Sequence, residues 1–395
     1  MKIILPSKFA LTLLMFCLSQ QTKAQGDASN LLKGGVSDAN ILLNGYFNPV
    51  LKSFGSSLNN GWYNTARPHG TLGFDITVCA NLAIAPTADL TFPLSGLTIL
   101  KPQANATVGP SVFGSNNEGA APIFDINLPN PSWKLFDSLN PGGTNPFSKD
   151  TTLAGFRMPA GMGINIFGSP SANIALGIYK NTEIIIRYVP KIKQESFEVG
   201  LWGFGIKHDI KQWIPVIKAQ KIWDIAGFFG YTQFNSILGL DELQPDAPYG
   251  STSPNGNIVN NNTKPTSTQQ ISIHSTAWNA QLLVSAKLLF FTPYAGFGYQ
   301  RATTDLTVEG QYPFTTFIMP GEADFDPNIP TKKRVNLTEK DPVKITGTIS
   351  GFRATFGARI NLAILTLHAD YTFAAYNMLT AGVGINFQSL VPFKP

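Results

Sequence analysis

Apolar and polar residues alternate with a period of two along much of this chain, most regularly between Ile349 and Phe387. Phe352, Ala354, Phe356, Ala358 and Ile360 share one face of a first predicted strand, and Arg353, Thr355, Gly357 and Arg359 share the other. In a second, Ala363, Leu365, Leu367, Ala369, Tyr371 and Phe373 alternate with Ile364, Thr366, His368, Asp370 and Thr372. In a third, Leu379, Ala381, Val383, Ile385 and Phe387 alternate with Thr380, Gly382, Gly384 and Asn386. Successive strand side chains point to opposite faces, so each strand has one apolar and one polar side. Strands of about ten residues with this pattern and short turns suit a bilayer crossed at a tilt.

The same alternation recurs upstream. Thr71–Pro86 reads as a first strand with Leu72, Phe74, Ile76, Val78, Ala80, Leu82 and Ile84 outward, and Asp75, Thr77, Cys79 and Asn81 inward. Phe156–Phe167, Asn173–Lys180, Thr182–Pro190, Ser196–His208 and Lys221–Leu238 follow, with turns predicted at Gly168–Ser171 and Lys180-Asn181. Gln270–Lys287 and Phe291–Glu309 form a predicted hairpin of long strands. Leu94–Leu100 and Pro122–Leu128 are weaker strand candidates inside a Pro- and Gly-rich excursion. The expected fold is all-β: a transmembrane antiparallel β-barrel of about fourteen strands, with twelve as the alternative, since bacterial single-chain barrels have even counts. Polar segments Asp241–Thr268 and Gln311–Asp341 are expected as long outer loops. His208–Pro215 reads as one amphipathic helical turn with Ile210, Trp213 and Ile214 at the membrane interface and Asp209, Lys211 and Gln212 in water.

Residues 25–70 break this pattern. Ser37 is placed to cap a helix carrying Leu42, Leu43, Tyr46 and Phe47, and Pro49 is placed to interrupt it and start a second helix with Leu51, Phe54 and Leu58. These helices are expected to plug the barrel lumen or to pack under its periplasmic mouth. Leu42, Tyr46, Phe47 and Phe54 are the candidate plug residues. Trp62 and Tyr63, after the Asn60-Gly61 turn, are expected as interface anchors.

The chain opens with a basic start (Lys2, Lys8), a short apolar run Phe9–Leu18 and small residues before Gln25. Residues 1–24 therefore read as a signal peptide, too short in its apolar run to span as a helix. Cys17 lies inside that run behind bulky Phe16, which disfavours a lipoprotein reading. The leader holds three lysines and no acid, so the formal charge of +5 falls to +2 without it. That residual charge gives no reason to expect a nucleic-acid partner. The expected organisation is leader 1–24, plug or cap 25–70, barrel 71–387 and tail 388–395.

Candidate chemistry is sparse. Cys79 is the single cysteine beyond the leader and reads as an incidental inward thiol. His69, His208, His274 and His368 lack metal-ligand spacing. Arg353, Arg359, His368 and Asp370 fall on inward faces of neighbouring strands and are the candidate lumen lining, expected to pair as a salt-bridge ladder. Glu322, Asp324 and Asp326 lack the ligand pattern of a calcium loop, and the acceptor patterns at Asn261 and Asn336 mark loop exposure. No nucleophile motif surrounds any serine. No cofactor and no enzymatic activity are expected; a barrel hydrolase is the least favoured alternative.

Thr380, Gly382, Ile385 and Phe387 resemble the C-terminal signal read by the barrel insertion machinery, with residues 388–395 as a departure. The blocks "LNGYFNPVLKSFGSSLNNGWYNTARPH", "LGFDITV" and "GFGIKHDIKQWIP" resemble a family of bacterial outer-membrane proteins of unknown function. A helical hatch before a barrel is also similar in layout to the long-chain fatty-acid transporter family, though none of that family's ligand residues map here. This layout implies uptake of hydrophobic solutes. The leading expectation is a passive, plug-gated outer-membrane channel for a small or hydrophobic solute, with outer-membrane lipid and the insertion machinery as partners. The alternative is a non-transporting interaction or secretion-associated barrel that presents its outer loops.

Overall fold

The computed structural model describes residues 35–129, 150–194, 197–215, 220, 222–240, 247–264, 269–312, 314–318, 323–324, 326, 332–336 and 340–387. The expected leader 1–24, the tail 388–395 and Glu322 lie outside them.

Ten strands close into an antiparallel barrel. They are β1 (Phe74–Ile84), β2 (Ile166–Ile178), β3 (Thr182–Gln194), β4 (Phe197–Asp209), β5 (Trp223–Gly239), β6 (Gln270–Ala286), β7 (Phe291–Glu309), β8 (Val343–Leu362), β9 (Leu365–Phe373) and β10 (Asn377–Phe387). Each strand pairs with its neighbours in sequence, and β1 pairs with β10 from Phe74↔Phe387 to Ile84↔Asn377. Closure leaves no free edge, which a strand crossing lipid requires.

The period-two pattern sets the two faces. Ile76, Val78, Ile174, Ile186, Phe204, Phe229, Leu282, Phe297, Phe352 and Val383 are exposed on the outside. Asp75, Asn173, Glu183, Arg187, Lys207, Asn279, Arg353 and Thr380 are buried on the inside. A barrel that is polar within and apolar without is the reverse of a soluble protein and is built for lipid. Tight connections gather at one end. Lys180 and Asn181 both have positive φ in the β2–β3 turn, Leu289 does so between β6 and β7, and Ala363 between β8 and β9. The 3-10 turn Lys211–Trp213 follows β4 at this turn end. The opposite, loop end carries small sheets, including Leu100–Pro102 with Ile123–Pro129 and Asp150–Arg157, and a four-stranded one built from Ser251–Thr252, Ile258–Asn260, Lys333–Asn336 and Phe314–Phe317.

Among the described residues one α-helix, α1 (Gly35–Leu58), precedes the barrel. Leu42, Leu43 and Tyr46 of its first half, with Leu51 beyond them, pack against Phe92, Leu100, Phe124, Phe156, Val343 and Ile345 at the loop end. Asp38 is fully buried there and accepts from the backbone amides of Thr98, Ile99 and Leu100 and from the Thr98 hydroxyl at 2.8–2.9 Å. Its second half descends: Leu58 packs with Ala277, Ala302 and Ile349, and Phe54 meets Phe234 edge-on at 4.7 Å. Tyr376, in the β9–β10 turn, donates to Asp89. Burial, and then that carboxylate, push its phenol well above the ordinary range, so it stays a donor.

Several expectations are corrected. The barrel has ten strands rather than fourteen or twelve, because Ile123–Pro129 and Asp150–Arg157 pair with each other in a loop-end sheet instead of the wall. Alternation shows that a strand exists and not which ladder it joins. Gly168–Ser171 is not a turn but part of β2, paired with Cys79–Leu82 of β1. The predicted strand Phe156–Phe167 ends at Arg157, short of Pro159, and resumes at Ile166. Pro49 does not split the helix, and Ser37 lies inside it rather than at its cap. Packing on the loop-end core and the barrel wall outweighs the lost hydrogen bond at Pro49. Lys211 is buried rather than wet, within 3.6 Å of Asp224. Trp62 and Tyr63 are not interface anchors; Trp62 is only 4% exposed, inside the lumen.

Candidate functional site in the lumen

From Leu58 the chain runs down the barrel axis to Gly70 and joins β1 at the turn end. Inward side chains from around the wall hold it. Arg187 on β3 donates to the carbonyls of Leu58 at 2.8 Å and Asn60 at 2.7 Å. Arg353 on β8 donates to the Asn59 carbonyl at 3.1 Å and to Asn60 Oδ1 at 2.5 Å. Two guanidinium groups therefore cap the C-terminal end of α1, where unpaired carbonyls carry partial negative charge. Asn279 on β6 donates to the Asn59 carbonyl and Asn60 donates to Thr380 on β10. Contacts from β3, β6, β8 and β10 to three consecutive residues place those residues inside the barrel.

Gly61 makes the bend. Its φ is +70°, and a Cβ there would lie 2.9 Å from Asn81 Oδ1 and from Ser171 Oγ. Only glycine meets both demands. Its carbonyl accepts from Asn173. The Arg187 guanidinium lies 4.0 Å from the centre of the Trp62 ring, a cation–π contact in a desolvated setting. Below, Tyr63 donates to Gln281 at 2.7 Å, and Arg359 donates to Asn64 Oδ1 at 2.8 Å. Nearest the turn end, Arg67 pairs with Asp224 at 2.9 Å, and the His69 ring and amide both meet Glu183, at 2.7 and 2.9 Å. Glu183 also pairs with Lys207 at 2.9 Å. All three of His69, Glu183 and Lys207 are nearly sealed from solvent, where an unpaired charge would be costly.

The expected lining residues Arg353, Arg359, His368 and Asp370 are all buried on the inner face. They do not form the expected ladder among themselves. Arg353 and Arg359 serve the plug, Asp370 accepts from Tyr294 at 2.8 Å, and His368 Nε2 lies 3.6 Å from Cys79 Sγ. Of the expected plug residues, Leu42 and Tyr46 are buried under the loop end with Phe47 packed beside them, and Phe54 sits at the mouth of the lumen. Thr380 and Gly382 point inward, Gly382 beneath the His368 ring, while Ile385 is exposed outside and Phe387 stacks on Phe74 at 4.7 Å. Local sequence does not mark Arg187 as a plug contact, nor Asn59–His69 as the segment that threads the lumen. Arg187 has the right parity for the lumen, but nothing local points to Leu58, 129 positions away.

Voids of about 20 and 10 Å³ lie beside the plug among the described residues. Each has room for about one water molecule. Among the described residues no three His, Cys, Asp or Glu side chains converge as metal ligands.

A family model described as a family of unknown function (DUF6588) matches residues 1–387. The chain belongs to this family. No curated protein is similar to it in sequence. Among solved structures, the translocator domain of the autotransporter NalP from Neisseria meningitidis is 10% identical, with 81% of this chain and 90% of that one covered and a TM-score of 0.25. The outer membrane protease OmpT from Escherichia coli is 7% identical over 80% and 97%, with a TM-score of 0.24. Ail of Yersinia pestis is 10% identical over 52% and 96%, with a TM-score of 0.23. These scores are low. The placement of this DUF6588 protein in the bacterial outer membrane follows from its own closed barrel and apolar exterior, since spanning barrels of this kind belong to that membrane.

Proposed function

We propose that this protein is a self-sealed outer-membrane barrel that acts through the surface it presents at its loop end. The observation that carries this reading is the lumen itself. Residues 58–69 occupy it and are held by Arg187, Arg353, Arg359, Lys207 and Glu183, and the voids beside Trp62 and Tyr63 measure about 20 and 10 Å³. Small barrels are generally filled by side chains, and water-filled channels belong to much larger ones. Short turns face the periplasm and long loops the exterior. The chain thus enters the lumen from the outside and leaves it at the periplasmic end, and α1 anchors the outer platform through Asp38.

A plug-gated channel is the second reading. It is favoured by the four lumen cations Arg187, Lys207, Arg353 and Arg359, which would line a pathway if the plug withdrew. Planar-bilayer recording of the purified full-length protein separates the two. The sealed reading expects no steady conductance. Frequent long-lived open events in the intact protein would sink it and favour the gated channel. The path of the plug is tested separately with Ser37→Cys and Lys180→Cys proteins, treated on intact cells with a membrane-impermeant maleimide. Position 37 should label and position 180 should not.

A further inference from the structure

Strands β5, β6, β7 and β8 are 17, 17, 19 and 20 residues long, whereas β9, β10 and β1 are 9, 11 and 11. The wall therefore rises on one side only. The pairing register shows what its outer face carries. A row of Phe229, Ala280, Tyr299 and Phe352 is apolar and aromatic. The next row toward the loop end is Tyr231, Trp278, Arg301 and Ser350. Above it lie Gln233, Thr276, Thr303 and Thr348, then Asn235, His274, Asp305 and Thr346. The outer face thus changes within one row from lipid-facing to densely polar.

We propose that this raised wall binds the head group of a phosphorylated glycolipid of the outer leaflet. Three observations carry the assignment. The wall is continuous with the lipid-facing belt, so its first polar row stands at the height of lipid phosphates. Arg301 sits in that row, is exposed, and makes no ion pair among the described residues. An arginine fork facing outward at that level is matched to a phosphate. On one side of it Trp278 and then Tyr231 continue the row, at the level where aromatic rings border the head groups.

The rows above suit hydroxyls. Asn235, His274, Thr346 and Thr348 are exposed, and each offers a donor or acceptor. Their pre-set geometry is visible in existing bonds: the His274 ring meets Asn235 Oδ1 at 2.6 Å, and Thr346 donates to Asp305 at 2.6 Å. One further carboxylate and a lysine complete the wall. Glu309 accepts from Gln270 and Ser272, and Lys344 stands opposite Thr307. From Arg301 to Thr307 the wall climbs roughly 15–20 Å along tilted strands, beyond the reach of a phospholipid head group alone. A sugar-bearing head group is tall enough to use all four rows. The inference rests on the outer-membrane placement but not on whether the lumen conducts.

The test uses the full-length protein in phosphatidylethanolamine vesicles with or without lipopolysaccharide, and with phosphatidylglycerol in its place. Thermal unfolding of the wild type should shift upward only with lipopolysaccharide. Arg301→Ala and His274→Ala should weaken apparent binding by about tenfold each, as loss of a charged or network hydrogen bond implies, and Arg301→Lys should retain only part of it, since an ammonium lacks the planar fork. Thr348→Val, a milder change, covers the case in which either alanine variant fails to fold. An equal shift with phosphatidylglycerol would reduce the site to phosphate adhesion and overturn the proposal. So would unaltered lipopolysaccharide response in the folded variants. Failure of the protein to insert in any vesicle would instead count against the membrane placement.

Discussion

Arg187 on the barrel wall lies against the face of Trp62 in the plug, its guanidinium 4.0 Å from the ring centre. The same group donates to the carbonyls of Leu58 and Asn60. One buried side chain thus ties the end of α1, the bend and the aromatic below it to strand β3. Replacing it with methionine should cost about 3 kcal/mol, because two carbonyls lose charged donors in a dry setting. The change is read as a lowered unfolding temperature in detergent. Arg187→Lys should recover only part of it, since an ammonium lacks the planar fork.

Cys79 reports whether the plug has moved. Its sulfur is buried beneath Gly61 and beside His368. In the folded wild type a thiol reagent should leave it unmodified over hours. In Arg187→Met protein that is still folded, labelling should become faster by at least about tenfold, in line with a weakened closed state. Equal rates in both proteins would mean that Arg187 does not hold the plug.

Gly61 and Gly250 have nearly the same φ, +70° and +72°, in opposite surroundings. Nothing lies within 4 Å of a Cβ at Gly250, whereas Asn81 and Ser171 crowd one at Gly61. Gly250→Ala should cost about 1 kcal/mol for the backbone alone, and Gly61→Ala about 3 kcal/mol, with the added steric clash. Chemical denaturation of the two proteins, compared directly, measures the difference.

Glu183 serves His69 and Lys207 at once, with all three side chains nearly sealed from solvent. Glu183→Gln leaves Lys207 without its counter-charge and should destabilise by about 3–5 kcal/mol. His69→Gln removes one partner and leaves the Glu183–Lys207 pair, so it should cost far less. The reverse order in thermal melts would show that the histidine, not the lysine, depends on this carboxylate.

Asp38 gathers three backbone amides and a hydroxyl from Thr98–Leu100. Asp38→Ala should free this part of the loop end while leaving the barrel intact, at a cost of about 2–4 kcal/mol confined to that region. Limited proteolysis on intact cells should then cut between residues 94 and 106, with the detergent-resistant barrel unchanged.

The lining residues show where local reading stops. Arg353, Arg359, His368 and Asp370 were legible as inward because period two assigns a face to every strand position. Their partners are not legible locally: the two arginines bond the plug rather than Asp370. Arg353 reaches Asn60 across 293 positions, and Arg359 reaches Asn64 across 295. Trp62 fails for a related reason. An aromatic beside a turn has the same local signature whether it borders lipid or fills a lumen, and burial alone separates the two.

What the sequence by itself determined is the alternation, and with it an all-β wall, an apolar exterior, a polar interior and a helical segment ahead of them. These follow from side-chain direction and local periodicity, which any short window contains. What only the tertiary structure decided is the number of strands in the wall, the course of the plug through it, and the groups that hold the plug. Ile123–Pro129 could join any free ladder, and its partner Asp150–Arg157 settled the matter. Arg187 had several possible acceptors, and the carbonyls of Leu58 and Asn60 became its partners once closure brought β3 around them. Closing a sheet on itself is a property of all its strands together, and the contacts made inside exist only after it has closed.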